Sequence, residues 1–166
     1  MTAQSLPFNT IAAYVKHETA RWRDWFDAAP ADVLGLPLGP HADGTVRTLI
    51  KHIFAVELRY AQRLSGDAVS AYEDLPDATI DDLWRIHAKA ASVLDRYLAS
   101  ADDRALDAVL ISNTRKLGPI ESRARTVVVH SWIHGIRHWA QIALVLRQNG
   151  HGGLWEHDWL LNPAVQ

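Results

Sequence analysis

From Ser122 to Gln148 the chain reads as one long helix that is apolar around most of its circumference, and its polar exceptions fall in one stripe. Val128, Val129, Trp132, Ile133, Ile136 and Leu144 alternate with His130, His134 and His138. At about 100° per residue, each step of four drifts by only ~40°, so the three imidazoles share a side, with Ser131 and Gln141 near it. A helix apolar on several sides must be covered on several sides. Polar groups on it need partners, because an unsatisfied buried imidazole costs about 1–3 kcal/mol. The stripe therefore has to be answered by something chemical. Gly150 ends the segment.

Three further segments carry helical periodicity. The first spans Phe8 to Ala28, with Ile11, Tyr14, Val15, Trp22, Trp25 and Phe26 on one face. Pro30 and the stretch from Gly35 to Gly44 break it. The second runs from about Thr45 to Leu64 and stops at Gly66; its stripe includes Leu49, Ile50, Ile53, Phe54 and Ala61. The third begins at Thr79, an expected N-cap with Asp81 and Asp82 in the first turn. Between it and the last helix, Val109-Leu-Ile111 is β-prone and Gly118-Pro119 is a turn signal, so a short hairpin or irregular insert is expected there. Trp155 and Trp159 in the tail are expected to pack back on the helices. Four amphipathic helices of about twenty residues predict an all-α, four-helix-bundle domain spanning residues 1–166.

Composition narrows the function classes. The net charge of −2 gives no general pull toward nucleic acid or an anionic membrane. Cysteine is absent, which excludes a disulfide, a Cys–zinc site and a cysteine nucleophile, so any thiol chemistry needs an outside thiol. No apolar run approaches the ~20 residues of a membrane span, and residues 1–16 lack a signal-peptide pattern. A cytoplasmic protein is the expectation.

Two histidines four apart on one helix can bind one metal ion, since their side chains rise in the same direction one turn apart. His134 and His138 fit this, and His52, flanking the apolar stripe of the second helix, is the best third ligand. Three nitrogens leave positions open for water or substrate, the pattern of catalytic rather than structural sites. Imidazole suits zinc, nickel, iron or copper. His130 can be a fourth ligand, a residue that supports a ligand, or core. One of the latter two is favoured, because an ion ~2.1 Å from two ligands one turn apart does not reach a third a further turn away. His87 reads as a satisfied core histidine. His17, His41, His151 and His157 read as solvated.

Two carboxylates occupy apolar faces. Glu18 projects within ~20° of the centre of the first helix's stripe, and Glu57 does the same on the second. Buried carboxylates are rare unless paired. Each either acts at the site, orienting a histidine or serving as general base, or forms a buried salt bridge to Arg21, Arg59 or Arg137. Glu57 points ~140° away from His52 on an ideal helix. A di-iron carboxylate site is set aside, because its Glu-x-x-His motifs do not occur.

Two segments resemble the DinB family of DinB/YfiT-like metalloenzymes: Thr45-Val-Arg-Thr-Leu-Ile-Lys-His52-Ile-Phe-Ala-Val-Glu57, and His130-Ser-Trp-Ile-His134-Gly-Ile-Arg-His138-Trp-Ala-Gln141. Together, in this order, they are a strong match. The resemblance implies an up-down-down-up four-helix bundle, often a homodimer, holding zinc or nickel on His52, His134 and His138. It also implies a supporting place near those ligands for Gln141. Where the family usually shows Arg-Gly before the glutamine, this chain has Trp139-Ala140, which spares the ligands but changes the packing behind them.

Some members of the family look like S-transferases or isomerases that use a low-molecular-weight thiol. The leading expectation is thus a metal-dependent enzyme of that type with a small-molecule substrate, assisted by Glu18 or Glu57. The competing expectations are a metal-dependent hydrolase, a non-catalytic metal-binding stress or scaffold protein, and a helical dimer with core histidines. No nucleic acid or membrane partner is expected. Trp132, Ile136, Trp139 and Ala143 lie opposite the histidine stripe, so a partner subunit is the expected cover for them, with Trp155 and Trp159 as the alternative.

Overall fold

The computed structural model describes residues 7–39, 44–114 and 118–166. Four long helices carry most of the chain: α1 Phe8–Ala28, α2 Val46–Ser65, α3 Ile80–Ser100 and α5 Ala124–Gln148. Between the last two lie a short helix, α4 Asp103–Asp107, and two strands, β1 Val109–Thr114 and β2 Gly118–Arg123. Short 3-10 turns follow α1 at Ala31–Gly35 and close the tail at Trp159–Leu161 and Pro163–Val165.

The helix ends follow local chemistry. At α3, the Thr79 hydroxyl accepts from the Asp82 N–H at 3.2 Å, while the Asp82 carboxylate accepts from the Thr79 N–H at 3.0 Å, a complete capping box. α2 and α5 stop alike. Gly66 (φ 72°) and Gly150 (φ 82°) adopt the left-handed conformation that a residue with a Cβ resists. The next N–H then folds back onto the last turn, Asp67 to the Gln62 carbonyl and His151 to the Leu146 carbonyl, each at 2.9 Å. α4 escapes periodicity because five residues are too few to show a pattern. It rests on one cap, the Asp102 carboxylate accepting from Ala105 N–H at 2.8 Å.

The expected insert is an antiparallel hairpin, with Val109 opposite Arg123 and Thr114 opposite Gly118. It takes Ser122 and Arg123 from the expected start of the last helix. The Ala124 N–H donates to the Ala108 carbonyl at 2.9 Å and ties the base of the hairpin to the first turn of α5.

The chain divides into two compact units. One comprises Met1–Val46 and Trp139–Gln166. There Trp22 is stacked on Trp139 with ring centroids 4.9 Å apart, and Trp155 stands edge-on to Trp22 at 4.8 Å. Burying rings of this size stabilises by about 1.5–3 kcal/mol each. The other unit, Arg47–His138, buries Ile53, Phe54 and Leu58 of α2, Leu83 and Trp84 of α3 and Val128 of α5. Among the described residues no helix is long and apolar enough to cross a membrane.

Within the chain, Trp132, Trp139 and Ala143 are buried and Ile136 is half-buried. For Trp139 the cover is Trp22, the neighbour of tail residue Trp155. The apolar residues that α5 does expose are Ile133 and Leu144, at 49% and 50%.

Candidate metal centre

α2 and α5 bring His52, His134 and His138 together. The His134 Nε2 lies 3.0 Å from the His52 Nε2 and 3.1 Å from the His138 Nε2. His134 is thus the hub. Its Nε2 has one lone pair or one proton to share between two neighbours, which protons satisfy poorly. A cation facing three lone pairs satisfies all of them. Ligand nitrogens ~2.05 Å from a tetrahedral zinc lie about 3.3 Å apart, close to the spacing observed. Among the described residues no fourth His, Cys, Asp or Glu joins this group.

The electrostatics agree. Burial, then the adjacent His138, His52 and His130 rings and Arg137, push the His134 imidazole down to about 3. Burial and His138 lower His52 as well. Neutral imidazole is the form that ligates a metal, so His134 and His52 are held ready for one. The His134 Nδ1 is buried with no hydrogen-bond partner, unlike most metal-ligating histidines, whose second nitrogen donates to an acceptor.

The remaining candidate residues stand elsewhere. His130 is exposed, with its ring centroid 5.9 Å from that of His134 and 5.6 Å from that of Tyr60. It is neither core nor a member of the ligand group; one helical turn carries it past the site. Gln141 is exposed and also outside the group, three residues further along α5 than His138. Ser131 turns its hydroxyl back to the Val128 carbonyl at 2.8 Å.

Neither carboxylate joins the ligands. The Glu57 Oε2 is paired with the His87 Nδ1 at 3.0 Å, so His87 is satisfied as expected, and the partner of Glu57 is a histidine of α3 rather than an arginine. The other carboxylate oxygen lies against Gly135, the residue after the hub histidine. Glu18 belongs to the unit that does not contain the three histidines. Its carboxylate accepts from the Trp155 indole at 3.0 Å and the Asn162 amide at 3.1 Å, and meets the His157 Nδ1 at 2.8 Å. Burial pushes this carboxyl up, but the bonds from His157 and Trp155 outweigh it and hold the group below its ordinary value. Glu18 thus anchors the tail to α1, the structural pairing that was the alternative to a place at the site, with Trp155, His157 and Asn162 as partners instead of an arginine.

His157 is likewise not solvated, being stacked on Trp22 at 5.4 Å. His17 and His151 are half-buried, and His41 lies outside the described residues. Sequence reasoning missed the Glu18 cluster because its members are 137 to 144 positions apart. The only signal was a carboxylate on an apolar face.

The DinB family profile matches residues 1–159. A solved DinB-like protein from Bacillus subtilis is similar at 15% identity and TM-score 0.64, over 89% of this chain and 96% of that one. This likeness shows a shared fold. No curated protein matches the chain.

Proposed function

This chain belongs to the DinB family, and from that premise we propose that it is a metal-dependent enzyme whose divalent ion, zinc or nickel, is held by His52, His134 and His138. The observation that carries the reading is the convergence of three Nε2 atoms on one point, at 3.0 and 3.1 Å about His134. A divalent ion there supplies Lewis-acid activation of a thiol or water nucleophile. The chain's own residues do the rest. The three imidazoles fix the ion's position, and the Glu57–His87 pair packs beneath Gly135 and fixes α2 against α5 at the hub.

The reaction class we favour is S-transfer with an external low-molecular-weight thiol, on the resemblance to family members of that type; the absence of cysteine is compatible with it and does not demand it. Metal-dependent hydrolysis and non-catalytic metal binding are the competing readings. We place the four long helices in a four-helix bundle of up-down-down-up order, a single domain; the fold shared with the Bacillus subtilis protein supports this.

Elemental analysis of untagged protein tests the centre. One equivalent of zinc or nickel is expected in the wild type and none in His52→Ala. Metal-free protein that stays metal-free after reconstitution would overturn the reading. With metal bound, turnover of thiol-acceptor pairs against turnover of esters and amides separates transfer from hydrolysis, and neither activity points to non-catalytic binding.

A further inference from the structure

The cleft between α2 and α5 does not end at the three histidines. Tyr60 lies eight residues after His52 on α2, and His130 and Thr126 lie four and eight residues before His134 on α5. These steps of four and eight keep to one side of each helix, rising about 6 Å per four residues. They lead from the ligand cluster to a cavity of about 250 Å³ capped by the hairpin. The His130 ring sits between the two places, its centroid 5.9 Å from His134 and 5.6 Å from Tyr60.

The lining is built for one kind of guest. Ile120 of β2 and Val127 of α5 supply apolar surface. Ser112, Ser122, Thr126 and Tyr60 supply hydroxyls. No Asp, Glu, Lys or Arg among the described residues lines it. The Ser112 side chain is 7% exposed, and its Oγ has no hydrogen-bond partner. It is a hydrogen-bonding group without a partner in the chain, in the wall of the cavity, where water or a polar group of a ligand can bond it. His130 and Thr126 are exposed and form the mouth. The volume is just under the ~300–1,000 Å³ of pockets that take drug-sized ligands.

We infer that this cavity is the substrate subsite of the metal centre, and that it takes the body of a small uncharged molecule, part apolar and part hydrogen-bonding, whose other end reaches the metal past His130. The assignment rests on the metal reading above. It makes the hairpin, an insertion between helices, the element that selects the substrate.

Two hydroxamates test it on zinc-loaded protein by calorimetric titration. Acetohydroxamate reports on the metal alone, and 4-phenylbutyrohydroxamate adds a ring on a three-carbon spacer that matches the ~12 Å rise of eight helical residues from the ligands to Tyr60 and Thr126. Burial of the ring is expected to make the phenylbutyro compound bind about tenfold tighter. Thr126→Phe, at an exposed helix position, fills the mouth. It is expected to bring the ratio near one, with zinc stoichiometry and acetohydroxamate affinity unchanged. Ser122→Phe blocks from the strand side and serves if Thr126→Phe does not fold. Equal affinities in the wild type, or a preference that survives both blocking variants, overturn the subsite while leaving the metal centre standing. Absence of bound zinc in the wild type overturns the metal reading and this assignment with it.

Discussion

A methyl group placed on Gly135 would lie 3.3 Å from the Glu57 Oε1 and 3.7 Å from the Ile53 Cγ2. The first contact is tighter than most Cβ atoms tolerate, so either the carboxylate or α5 has to shift by a few tenths of an ångström. Glu57 is held at its other oxygen by His87 at 3.0 Å and does not withdraw freely. In an ordinary helix interior, Gly to Ala gains about 1 kcal/mol from propensity. Here that gain is expected to be cancelled or reversed, and zinc affinity to fall, because the strain lands beside His134. Thermal melts and zinc titrations of Gly135→Ala check this, with Gly135→Ala/Glu57→Ala as the relieved partner. A single variant that melts above the wild type by the full propensity gain, with zinc affinity unchanged, would contradict the close approach.

The pH dependence of the metal-free protein follows from His134. Its folded imidazole titrates at about 3, below the ordinary 6.5 that the unfolded chain restores. Between those values the unfolded state binds the proton and the folded state does not, so unfolding gains as pH falls. Stability present above 6.5 is therefore expected to drain away as pH drops from 6.5 toward 3. Because the ring is only partly shielded from solvent, the loss is smaller than a full conversion of the shift would give. Denaturant midpoints of the chelated protein at pH 7, 6, 5 and 4 measure it. His134→Phe is expected to flatten the fall, and an equal slope in both proteins would refute the assignment.

Much of this was legible beforehand, for reasons that particular residues make plain. The approximate span Phe8–Ala28 was readable because a clean periodicity runs up to Pro30. Gly66 and Gly150 marked ends that only left-handed residues make. His134 and His138 were readable as a pair because a spacing of four on one helix is a local property, whereas His52, 82 positions from His134, was singled out by its place beside the apolar stripe of α2 and by the family resemblance. What the sequence hid was pairing across the chain. Glu18 reads as a misplaced carboxylate until Trp155, His157 and Asn162 arrive from the far end. His130 obeys the same spacing as its neighbours; reach alone already argued against it as a ligand, and its exposure, which rules out a core place, shows only in the fold. The expected covers for Trp139 were a partner subunit or Trp155 and Trp159; within the chain it stacks on Trp22, which no local spacing announces.

The tail offers a prediction independent of any metal. Glu18 is held below its ordinary value, so the unfolded chain takes up the proton first as pH falls. The anchoring is thus complete above about 4.5 and is lost as pH drops through the lower folded value. Glu18→Gln removes an acceptor from a cluster of three donors and leaves one buried group unpaired, at a cost of about 1–3 kcal/mol at neutral pH. Acid titration followed by tryptophan fluorescence is expected to show the loss in the wild type, with a weaker acid transition in Glu18→Gln. A variant as stable as the wild type at pH 7 would mean that the tail is held by its aromatic contacts alone.

His130 and His134 are one helical turn apart on the same stripe, and removing each should have opposite consequences. His134 supplies the nitrogen to which both other ligands run, at 3.0 and 3.1 Å, so His134→Ala is expected to abolish stoichiometric zinc. His130 stands outside the ligand group, so His130→Ala is expected to keep one equivalent. Binding that favours the folded state adds stability by mass action, about 2.7 kcal/mol at a ligand concentration of 100 Kd. For a chain of this length that is roughly 5–10 °C in Tm. Zinc is expected to raise Tm by that amount in the wild type and in His130→Ala, and to leave His134→Ala unmoved. Equal loss of the zinc shift in both variants would put His130 among the ligands, and the ion would then have to bridge two turns of α5, which a single ion ~2.1 Å from its nitrogens does not do without distorting the helix.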